Sequence, residues 1–515
     1  MMNFYLTPVK NSYVLFTLNL LIVASLSNVL EAQGKFIGTM NNVVVFIRFA
    51  DQEEFTESFQ FIDEFLNSSI KPSVKTYYAE NSGHQLTIQS HFFPAPDVTN
   101  DKIVSYQDSH PMDYFRPYDA INNSIGYQGI EGSEREDRLL ADALLFVKDE
   151  IESASLDLDI NNDEIIDNIS FIIQRPPGGA FSTYLYPTLI QITDIPVYIQ
   201  GKKAYMGNKH TTEYLQQEQL GFFCHEMFHG FTFAPDIYNS RSVAFSPVGV
   251  WDLMGGGGGT MPPAHLLVYM KMKYGTWLET IPRITKSGTY TLECINDNPL
   301  AAYEIPSPNS THEKFIVEYR KPVGMFESGL GRSQIECGLL IYRVDDRYSG
   351  CGGGEPYFEV YVFRPLYGDR PEEGDSNKAG FAVENGRTTF SSETNPSCFL
   401  NDGSVGGIMI NNITSNHGST ISFNVVVQDN STDIENVKEQ DLIIYPNPVN
   451  DIFYIKNNDK GLNIKVLNNS GEVLFEQKIN NQCEIIDVSG LKSGLYMMQL
   501  IDVDENVMIR KFIKK

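Results

Sequence analysis

The sequence has few basic residues, few cysteines and, beyond its N-terminus, no long apolar run. Lysine and arginine number 39 against 65 aspartate and glutamate residues, so the net charge is −26. A chain this acidic repels a phosphate backbone, which argues against nucleic acid as a partner. No stretch after residue 33 reaches the length of a membrane-spanning helix. We therefore expect no transmembrane segment in the mature chain.

The 515 residues are 42% hydrophobic and 20% charged, which is typical of a globular protein and excludes a wholly disordered or fibrous chain. At about 150 residues per domain, the length predicts three to four domains. The six cysteines are compatible with an exported protein but do not require one. Four of them fall in one region, where we expect one or two disulfides: Cys294, Cys337, Cys351 and Cys398.

The N-terminal residues 1–33 have the outline of a secretory signal peptide. Lys10 precedes an apolar run over residues 13–26, and Ala32 offers a small residue for cleavage. The alternative is a membrane anchor. At about 14 residues, interrupted by Asn19, the run is too short to span a bilayer comfortably.

The hydrophobic pattern predicts a multidomain α+β chain. Residues 34–285 mix helices with buried strands, such as the strand over 41–49, the helix over 134–153 and the strand over 169–173. Whether residues 34 to about 100 form a latency segment or belong to the catalytic core stays open. Residues 286–428 contain short alternating strands and turns, which predict an all-β sandwich domain. A polar linker over 429–441 and a small β-sandwich over 442–515 follow.

One motif carries recognisable chemistry. Residues 225–229 read HEMFH, an HExxH pentad. On a helix, His225 and His229 lie on one face and can bind one zinc ion, leaving positions for a third protein ligand and a water. Glu226 can accept a proton from that water as it attacks a carbonyl and then pass the proton to the leaving amine. The alternative is a buried helix with incidental histidines.

A third ligand has to come from further along the chain. Asp236 stands seven residues after His229, where Pro235 indicates that the helix has ended. Its carboxylate can swing under the metal, although it can also cap the next turn. Met254 leads into five glycines at 255–259, which permit a tight loop. A methionine on such a turn can form the floor of a metal site.

An acidic loop before the strand at 169–173 suggests a second metal. Asp159, Asn161, Asp163 and Asp167 occupy positions 1, 3, 5 and 9 of calcium-loop spacing. Position 6, usually glycine, is Glu164. The loop therefore predicts a structural calcium site, with a solvated acidic turn as the alternative.

The chain resembles the immune-inhibitor-A-like secreted zinc metallopeptidases, a metzincin-like group. The stretches that carry the resemblance are CHEMFH, APDIY, SPVGVWDLM and MPPAHLLVYMKMKYGTW, with SVKTYYAENSGHQLTI, SYQDSHPMDYFRPYDA and DINNDEIIDNISFIIQ upstream. The resemblance implies zinc ligands at His225, His229 and Asp236, a general base at Glu226 and a methionine turn at Met254. It implies a zincin-like or metzincin-like catalytic domain followed by a β domain.

The chain departs from this family's pattern at one place. Relatives usually have glycine three residues past the second histidine and aspartate six residues past it. Here Thr232 occupies the glycine position, and one extra residue precedes Asp236. The family glycine ends the helix sharply in a left-handed conformation, so we expect the turn to be built differently here.

The C-terminal block resembles the sorting domain of the type IX secretion system. The matching stretches are YPNP, the central SGE turn, the GLY strand and the final KFIKK. The resemblance implies passage through the type IX secretion machinery, followed by surface attachment or release. The alternative is an ordinary binding module.

Together these features predict a secreted zinc endopeptidase that hydrolyses protein or peptide substrates, with Zn²⁺ as cofactor and Ca²⁺ as a second, structural ion. One alternative is an inactive metalloprotease-like surface protein that binds protein or glycan. Another is a zinc hydrolase that acts on a different bond. Two further residues are weaker candidates: His265 for the cleft wall and Tyr238 for stabilising an oxyanion.

Overall fold

The computed structural model divides into two compact units, residues 1–428 and 429–515. The predicted signal peptide and linker lie outside the described residues. In the first unit, the described residues are 34–174, 185, 187–192, 195–215, 219–238, 246–332, 335–350, 358–367 and 374–427. In the second they are 443–445, 448–456, 462–468, 472–479, 483–501 and 507–515.

The first half of the large unit is built around a six-stranded sheet. Its order is β2-β1-β4-β8-β5, with β3 also paired to β1. Only β5 runs antiparallel, at one edge. A separate hairpin joins β6 to β7. The bounds are β1 Gly38–Arg48, β2 Leu86–Phe93, β3 Tyr106–Gln107, β4 Ile169–Ile173, β5 Thr188–Gln191, β6 Val197–Ile199, β7 Lys202–Ala204 and β8 Met206–Thr211.

Helices cover both faces of this sheet, so its central strands β4 and β8 are buried on both sides. In β4, all five residues are buried. The long helix α3 shares a core with Val43 and Val45 on one face. Helices α1, α2 and α4 share another core with Val44 and Phe46 on the opposite face. The bounds are α1 Phe59–Asn67, α2 Val74–Asn81, α3 Glu131–Ala154, α4 Leu220–Thr232, α5 Val268–Lys273 and α6 Ser328–Arg332.

The second half of the large unit is made of antiparallel strands. One sheet has the order β10-β11-β12-β13 and the other β14-β15-β9. Side chains from both sheets share one core, which is a sandwich-like arrangement. The bounds are β9 Gly288–Glu293, β10 Tyr303–Pro306, β11 Glu313–Arg320, β12 Gly338–Asp345, β13 Val360–Val362, β14 Met409–Asn411 and β15 Thr420–Val426.

The β strands also pack against the helical half across residue 285. Every residue of β12 is buried, because its two faces enter different cores. Leu339 and Ile341 face the sandwich core, while Leu340 and Tyr342 join the core that contains α4. The boundary at residue 285 stays a prediction, but residues on its two sides bury each other.

The cysteine prediction is wrong for the described residues. Cys294, Cys337 and Cys398 are free and buried, and Cys351 lies outside the described residues. Cys294 and Cys398 lie in the sandwich core, and Cys337 lies in the core that contains α4. Burial raises the pKa of each of these thiols. Apolar packing, not cross-linking, therefore accounts for these three positions.

The small C-terminal unit consists of two antiparallel sheets. Their orders are β16-β17-β20 and β19-β18-β21-β22, and they share one apolar core. The bounds are β16 Ile443–Tyr445, β17 Ile452–Lys456, β18 Leu462–Leu467, β19 Val473–Ile479, β20 Cys483–Asp487, β21 Gly494–Ile501 and β22 Val507–Lys514. Among the described residues of both units, no helix is long and apolar enough to cross a membrane.

Candidate metal centre

The helix α4 carries the HExxH pentad in the core of the large unit. Its apolar residues Phe223, Met227 and Phe231 are buried in that core. His225 and His229, one turn apart, are each only 8% exposed. The helix therefore presents both imidazoles from a rigid, well-packed base.

The C-terminal end of α4 explains how the extra residue is accommodated. The helix continues through Thr232, and the left-handed residue is Phe233, with φ of 56°. The Phe233 N–H donates to the His229 carbonyl at 3.0 Å. The Thr232 hydroxyl donates to the Phe228 carbonyl and accepts from the Ala234 N–H. The left-handed residue is thus Phe233, one position after Thr232, where the resemblance stated above predicts glycine.

After this turn, Asp236 lies close to the Nε2 atoms of both histidines. The two Nε2 atoms of His225 and His229 lie 3.1 Å apart. Asp236 Oδ1 lies 3.0 Å from the first and 3.2 Å from the second. In tetrahedral zinc sites, metal–ligand bonds of about 2.0–2.1 Å put ligand atoms roughly 3.4 Å apart. The three atoms therefore form a triangle of nearly the size that one zinc ion needs.

Backbone carbonyls determine which nitrogen of each histidine faces the triangle. His225 Nδ1 lies 2.9 Å from the Leu253 carbonyl, and His229 Nδ1 lies 2.5 Å from the Ala234 carbonyl. A carbonyl oxygen only accepts, so both Nδ1 atoms carry the hydrogen. The two Nε2 atoms then point lone pairs at each other and at the Asp236 carboxylate. Three electron-rich atoms this close need a proton or a cation between them.

The carboxylate already favours positive charge at this position. Burial disfavours the imidazolium of His225, but the Asp236 carboxylate outweighs burial and raises the pKa of His225 to about 9. Burial likewise opposes ionisation of Asp236, yet hydrogen bonds to His225 and His229 hold the pKa of its carboxyl well below the usual range. The described residues contain no other convergent histidine, cysteine and carboxylate set of this kind.

Met254 lies on a tight turn, next to the Leu253 carbonyl that contacts His225 Nδ1. The Gly255 N–H donates to the Asp252 carbonyl at 3.0 Å and closes the turn. The Asp252 carboxylate, fully buried, accepts from the Met254 N–H at 2.7 Å. The Met254 carbonyl accepts from the Ile237 N–H at 3.0 Å, next to Asp236. The turn thereby supplies the Leu253 carbonyl to His225 and also holds the loop that contains Asp236.

Glu226 is half-buried on α4 and follows His225 directly in the sequence. It makes no hydrogen bond to a described residue, so its carboxylate is available to a water or substrate. Lys209 on β8 interacts electrostatically with Glu226; it is 4% exposed and ion-paired with Glu136. Burial lowers the pKa of Lys209 to about 7, and the negative charge of Glu226 opposes that shift.

The two weaker candidates differ in position. His265 is fully buried, with Nε2 2.8 Å from Glu80 Oε1, so it is a core residue and does not line a cleft. Tyr238 is 36% exposed, and its ring centroid lies 6.2 Å from that of His225. Tyr238 thus lies close to His225.

The acidic loop is organised largely by its own hydrogen bonds. The Asp159 carboxylate accepts from the N–H groups of Asp163 and Glu164 at 2.9 and 3.0 Å. The Lys202 ammonium lies 2.6 Å from Asp159 Oδ2. Burial alone would raise the pKa of Asp159, but Lys202 and the two N–H groups hold it below the ordinary value. Glu164, at loop position 6, takes the left-handed φ of 67° that glycine usually provides there.

Asp167 is the least satisfied carboxylate of that loop. Its Oδ2 accepts from the Ile160 N–H at 3.0 Å, but its buried Oδ1 has no hydrogen-bond partner among the described residues. Burial, with Asp159 and Asp163 close by, raises its pKa to about 8. Asn161 donates to Asp163 at 2.9 Å. The orphaned oxygen fits a cation, whereas Lys202 already neutralises the other end of the loop.

Sequence reasoning missed the residues that hold the methionine turn from the β strands. Arg320, fully buried, donates to the Trp251 carbonyl at 2.9 Å. It is held by Glu318 and Glu327 through hydrogen bonds of 2.6 to 2.9 Å. The Trp251 indole donates to the Ser376 carbonyl at 2.7 Å. Only the strand pattern around Arg320 was visible in the sequence, and it carried no signal for a contact 69 residues away.

The C-terminal unit matches a known protein family. Residues 443–515 match the family model described as the secretion system C-terminal sorting domain. The protein is exported. Its type IX sorting tail places it at the cell surface or in the medium and indicates an interaction with the secretion machinery. The sequence prediction for this block is confirmed. The comparison with curated proteins found no match.

Three solved structures are similar to parts of the chain. A DUF3244 family protein with an immunoglobulin-like β-sandwich from Bacteroides vulgatus is 15% identical over 14% of this chain and 84% of its own, with a TM-score of 0.13. CopC from Methylosinus trichosporium is 11% identical over 14% and 90%, with a TM-score of 0.12. PorZ from Porphyromonas gingivalis, a surface component of the type IX secretion system, is 12% identical over 41% and 36%, with a TM-score of 0.13. Scores this low carry no argument about fold or activity.

Proposed function

We propose that this exported protein is a zinc-dependent endopeptidase of the zincin type. His225, His229 and Asp236 would hold the zinc ion, and Glu226 would act as the general base. The observation that supports the proposal best is the triangle of two Nε2 atoms and one carboxylate oxygen, with sides of 3.0 to 3.2 Å. These are hard and borderline ligands of the type that catalytic zinc sites use, three in number, with a fourth position left for water.

The support extends to the orientation of the ligands. Both histidines are held by carbonyl acceptors at Nδ1, the arrangement that fixes the ring and raises its basicity as a ligand. Helix α4 packs against the mixed sheet next to the antiparallel edge strand β5. An extended substrate chain can lie along such an edge, because an edge strand offers unpaired backbone groups. That placement agrees with cleavage of a polypeptide.

The chemistry follows from these residues. Zinc, when bound, supplies Lewis acidity that activates water and polarises a substrate carbonyl. Glu226 takes a proton from the attacking water and returns it to the nitrogen of the leaving amine. The buried walls of α4 and of the methionine turn limit competing solvent and strengthen these electrostatic effects. No covalent intermediate is required: Cys224, the nearest thiol, is buried, and burial raises its pKa well above the usual value.

The acidic loop belongs to the same proposal as a structural calcium site. Its support is the orphaned Asp167 oxygen together with carboxylate and amide oxygens at calcium-loop spacing. Because Asp159 already has a lysine partner, we expect weak binding and no part in catalysis.

Hydrolysis of a denatured general protein substrate tests the proposal. The wild type is compared with Glu226→Gln and with Glu213→Gln, a half-buried glutamate just upstream of α4 that serves as the control. We expect Glu226→Gln to keep its zinc and lose about 10²–10⁴-fold in kcat, while Glu213→Gln stays near the wild type.

Other outcomes lead to the alternatives. Zinc bound at one equivalent without hydrolysis by any variant, after any latency segment is removed, would favour an inactive binding protein. Turnover of a different bond in a substrate screen would favour another zinc hydrolase. Equal cleavage by wild type and Glu226→Gln would mean that Glu226 is not the base.

A further inference from the structure

The loop of Asp236 is bordered by a glycine from the β half of the large unit. Gly350, buried and with φ of 63°, follows β12. A Cβ at this position would lie 2.6 Å from the Asp236 carbonyl oxygen and 2.9 Å from Pro235 Cβ. The two backbones are thus packed as closely as the absence of a side chain allows. A shift of Gly350 would be transmitted to the residue that carries the third ligand.

Gly350 is itself held by one buried carboxylate. Glu359, fully buried beside β13, accepts from the Gly350 N–H at 2.6 Å through Oε2. The Glu359 N–H donates in return to the Gly350 carbonyl at 3.1 Å. Both polar groups of the Gly350 backbone are therefore attached to the same residue, which fixes the glycine in translation and rotation.

Glu359 is fixed in turn from the segment that follows the methionine turn. The Tyr269 hydroxyl donates to its Oε1 at 2.9 Å, and the Tyr274 hydroxyl lies 3.0 and 3.1 Å from its two oxygens. Lys273 forms an ion pair with the same carboxylate. A buried carboxylate with this many donors is held rigidly, since each donor would lose its partner if the group moved.

We propose that Glu359 is a positioning residue for the candidate metal centre, acting through Gly350 on the backbone of Asp236. The inference rests on the proposed function, because it presupposes that Asp236 is a metal ligand. It assigns a role to the β half: the segment between β12 and β13, which contains Gly350 and Glu359, holds Asp236 at the distance from His225 and His229 that one ion requires. It also gives a role to the YMKMKY stretch, which supplies the donors to Glu359.

Two matched pairs of variants test this inference. Gly350→Ala is compared with Gly386→Ala, because Gly386 has a similar φ of 68° but a Cβ added there would meet no atom within 4 Å. Glu359→Gln is compared with Glu313→Gln, a buried carboxylate of the same β half that accepts from the Asn401 N–H at 2.7 Å and pairs with Arg347. Each pair imposes a similar backbone or charge change, but only one member is connected to Asp236.

The measurement is the zinc dissociation constant of the full mature chain, determined by competition with a chelator, beside thermal unfolding of the zinc-free protein. Loss of groups that orient metal ligands typically lowers affinity about 10–100-fold. We expect that loss for Gly350→Ala and Glu359→Gln, and a change below about 2-fold for the two controls. The cobalt(II)-substituted protein should show a changed visible spectrum in the same two variants only.

The outcomes separate the two proposals. If the wild type binds no zinc, the proposed function fails. If the wild type binds zinc and each variant matches its control in affinity and spectrum, the positioning role of Glu359 is overturned while the metal centre stands. If Gly350→Ala does not fold, the glutamine pair decides alone, because glutamine keeps the size of the side chain and part of its hydrogen bonding.

Discussion

The metal centre on α4 and the acidic loop at 159–167 are two predicted metal sites that the same chain builds differently. At the first, three ligand atoms face one another with sides of 3.0 to 3.2 Å. At the second, a lysine ammonium lies 2.6 Å from Asp159, and backbone N–H groups occupy much of the remaining oxygen surface. Both sites were predicted from the spacing of their ligand residues in the sequence.

The difference lies in what satisfies the ligand atoms. In the acidic loop, the protein supplies its own donors and one cation, so the loop can be stable without an ion. At His225 and His229, the Nδ1–H groups donate to backbone carbonyls, so the Nε2 atoms that face the Asp236 carboxylate carry no hydrogen. Convergence of acceptors without donors is therefore the better indicator of a metal site than ligand spacing alone.

The largest expected effect separates the two sites directly. His229→Ala should lower zinc affinity by roughly 10²–10³-fold, because structural zinc sites bind with about 10–16 kcal/mol over four ligands and one ligand is lost. Asp159→Asn should leave zinc affinity unchanged. Isothermal titration or chelator competition checks both. An equal loss in the two variants would contradict the assignment of zinc to α4.

A smaller effect is expected when the internal cation of the acidic loop is removed. Lys202→Met leaves the Asp159 carboxylate buried with fewer partners, which should destabilise the calcium-free protein by about 2 kcal/mol. Millimolar calcium should restore most of that loss, whereas the wild type should respond less. Urea unfolding with and without calcium measures this, with Lys203→Met as the neighbouring control. A variant that calcium does not rescue would count against the calcium prediction.

The smallest effect concerns the end of α4, where the chain departs from the family pattern. Phe233→Gly should be neutral or stabilising by up to about 1 kcal/mol, because glycine accepts the left-handed conformation without strain. Thr232→Gly, at the position where the family pattern of the sequence resemblance has glycine, should destabilise the protein by about 1–2 kcal/mol. The change puts glycine in the last turn of the helix and removes two side-chain hydrogen bonds. Chemical denaturation of both variants gives the sign. The opposite order would mean that the turn is made at Thr232.

Much of the fold could be predicted from periodicity. The strand at 169–173 follows from a short apolar run, and the helix over 134–153 follows from an apolar pattern of period 3.6; both signals lie within one stretch of chain. The burial of both faces of β12 could not be predicted in this way, since it depends on two sheets and a helix that are distant in the sequence. The free thiols Cys294, Cys337 and Cys398 show the same limit, because cysteine spacing does not say which side chains meet.

The candidate site also has a part that could be predicted from local sequence and a part that could not. His225, Glu226 and His229 are positioned by one helix, so their mutual geometry is local and could be inferred. The position of Asp236 depends on where the helix ends, and an extra residue made that ambiguous until Phe233 was seen to form the turn. The link from Glu359 through Gly350 joins segments more than 100 residues apart, and nothing in the local sequence indicates it.

The central claim is that His225, His229 and Asp236, and not the acidic loop, form a zinc centre. Zinc X-ray absorption of the mature protein loaded with one equivalent of zinc tests it most directly, beside the His229→Ala variant. The account predicts one zinc per chain with two imidazole nitrogens and at least one oxygen in its coordination shell, and loss of this signal in the variant. An oxygen-only shell, or the same spectrum in His229→Ala, would contradict it.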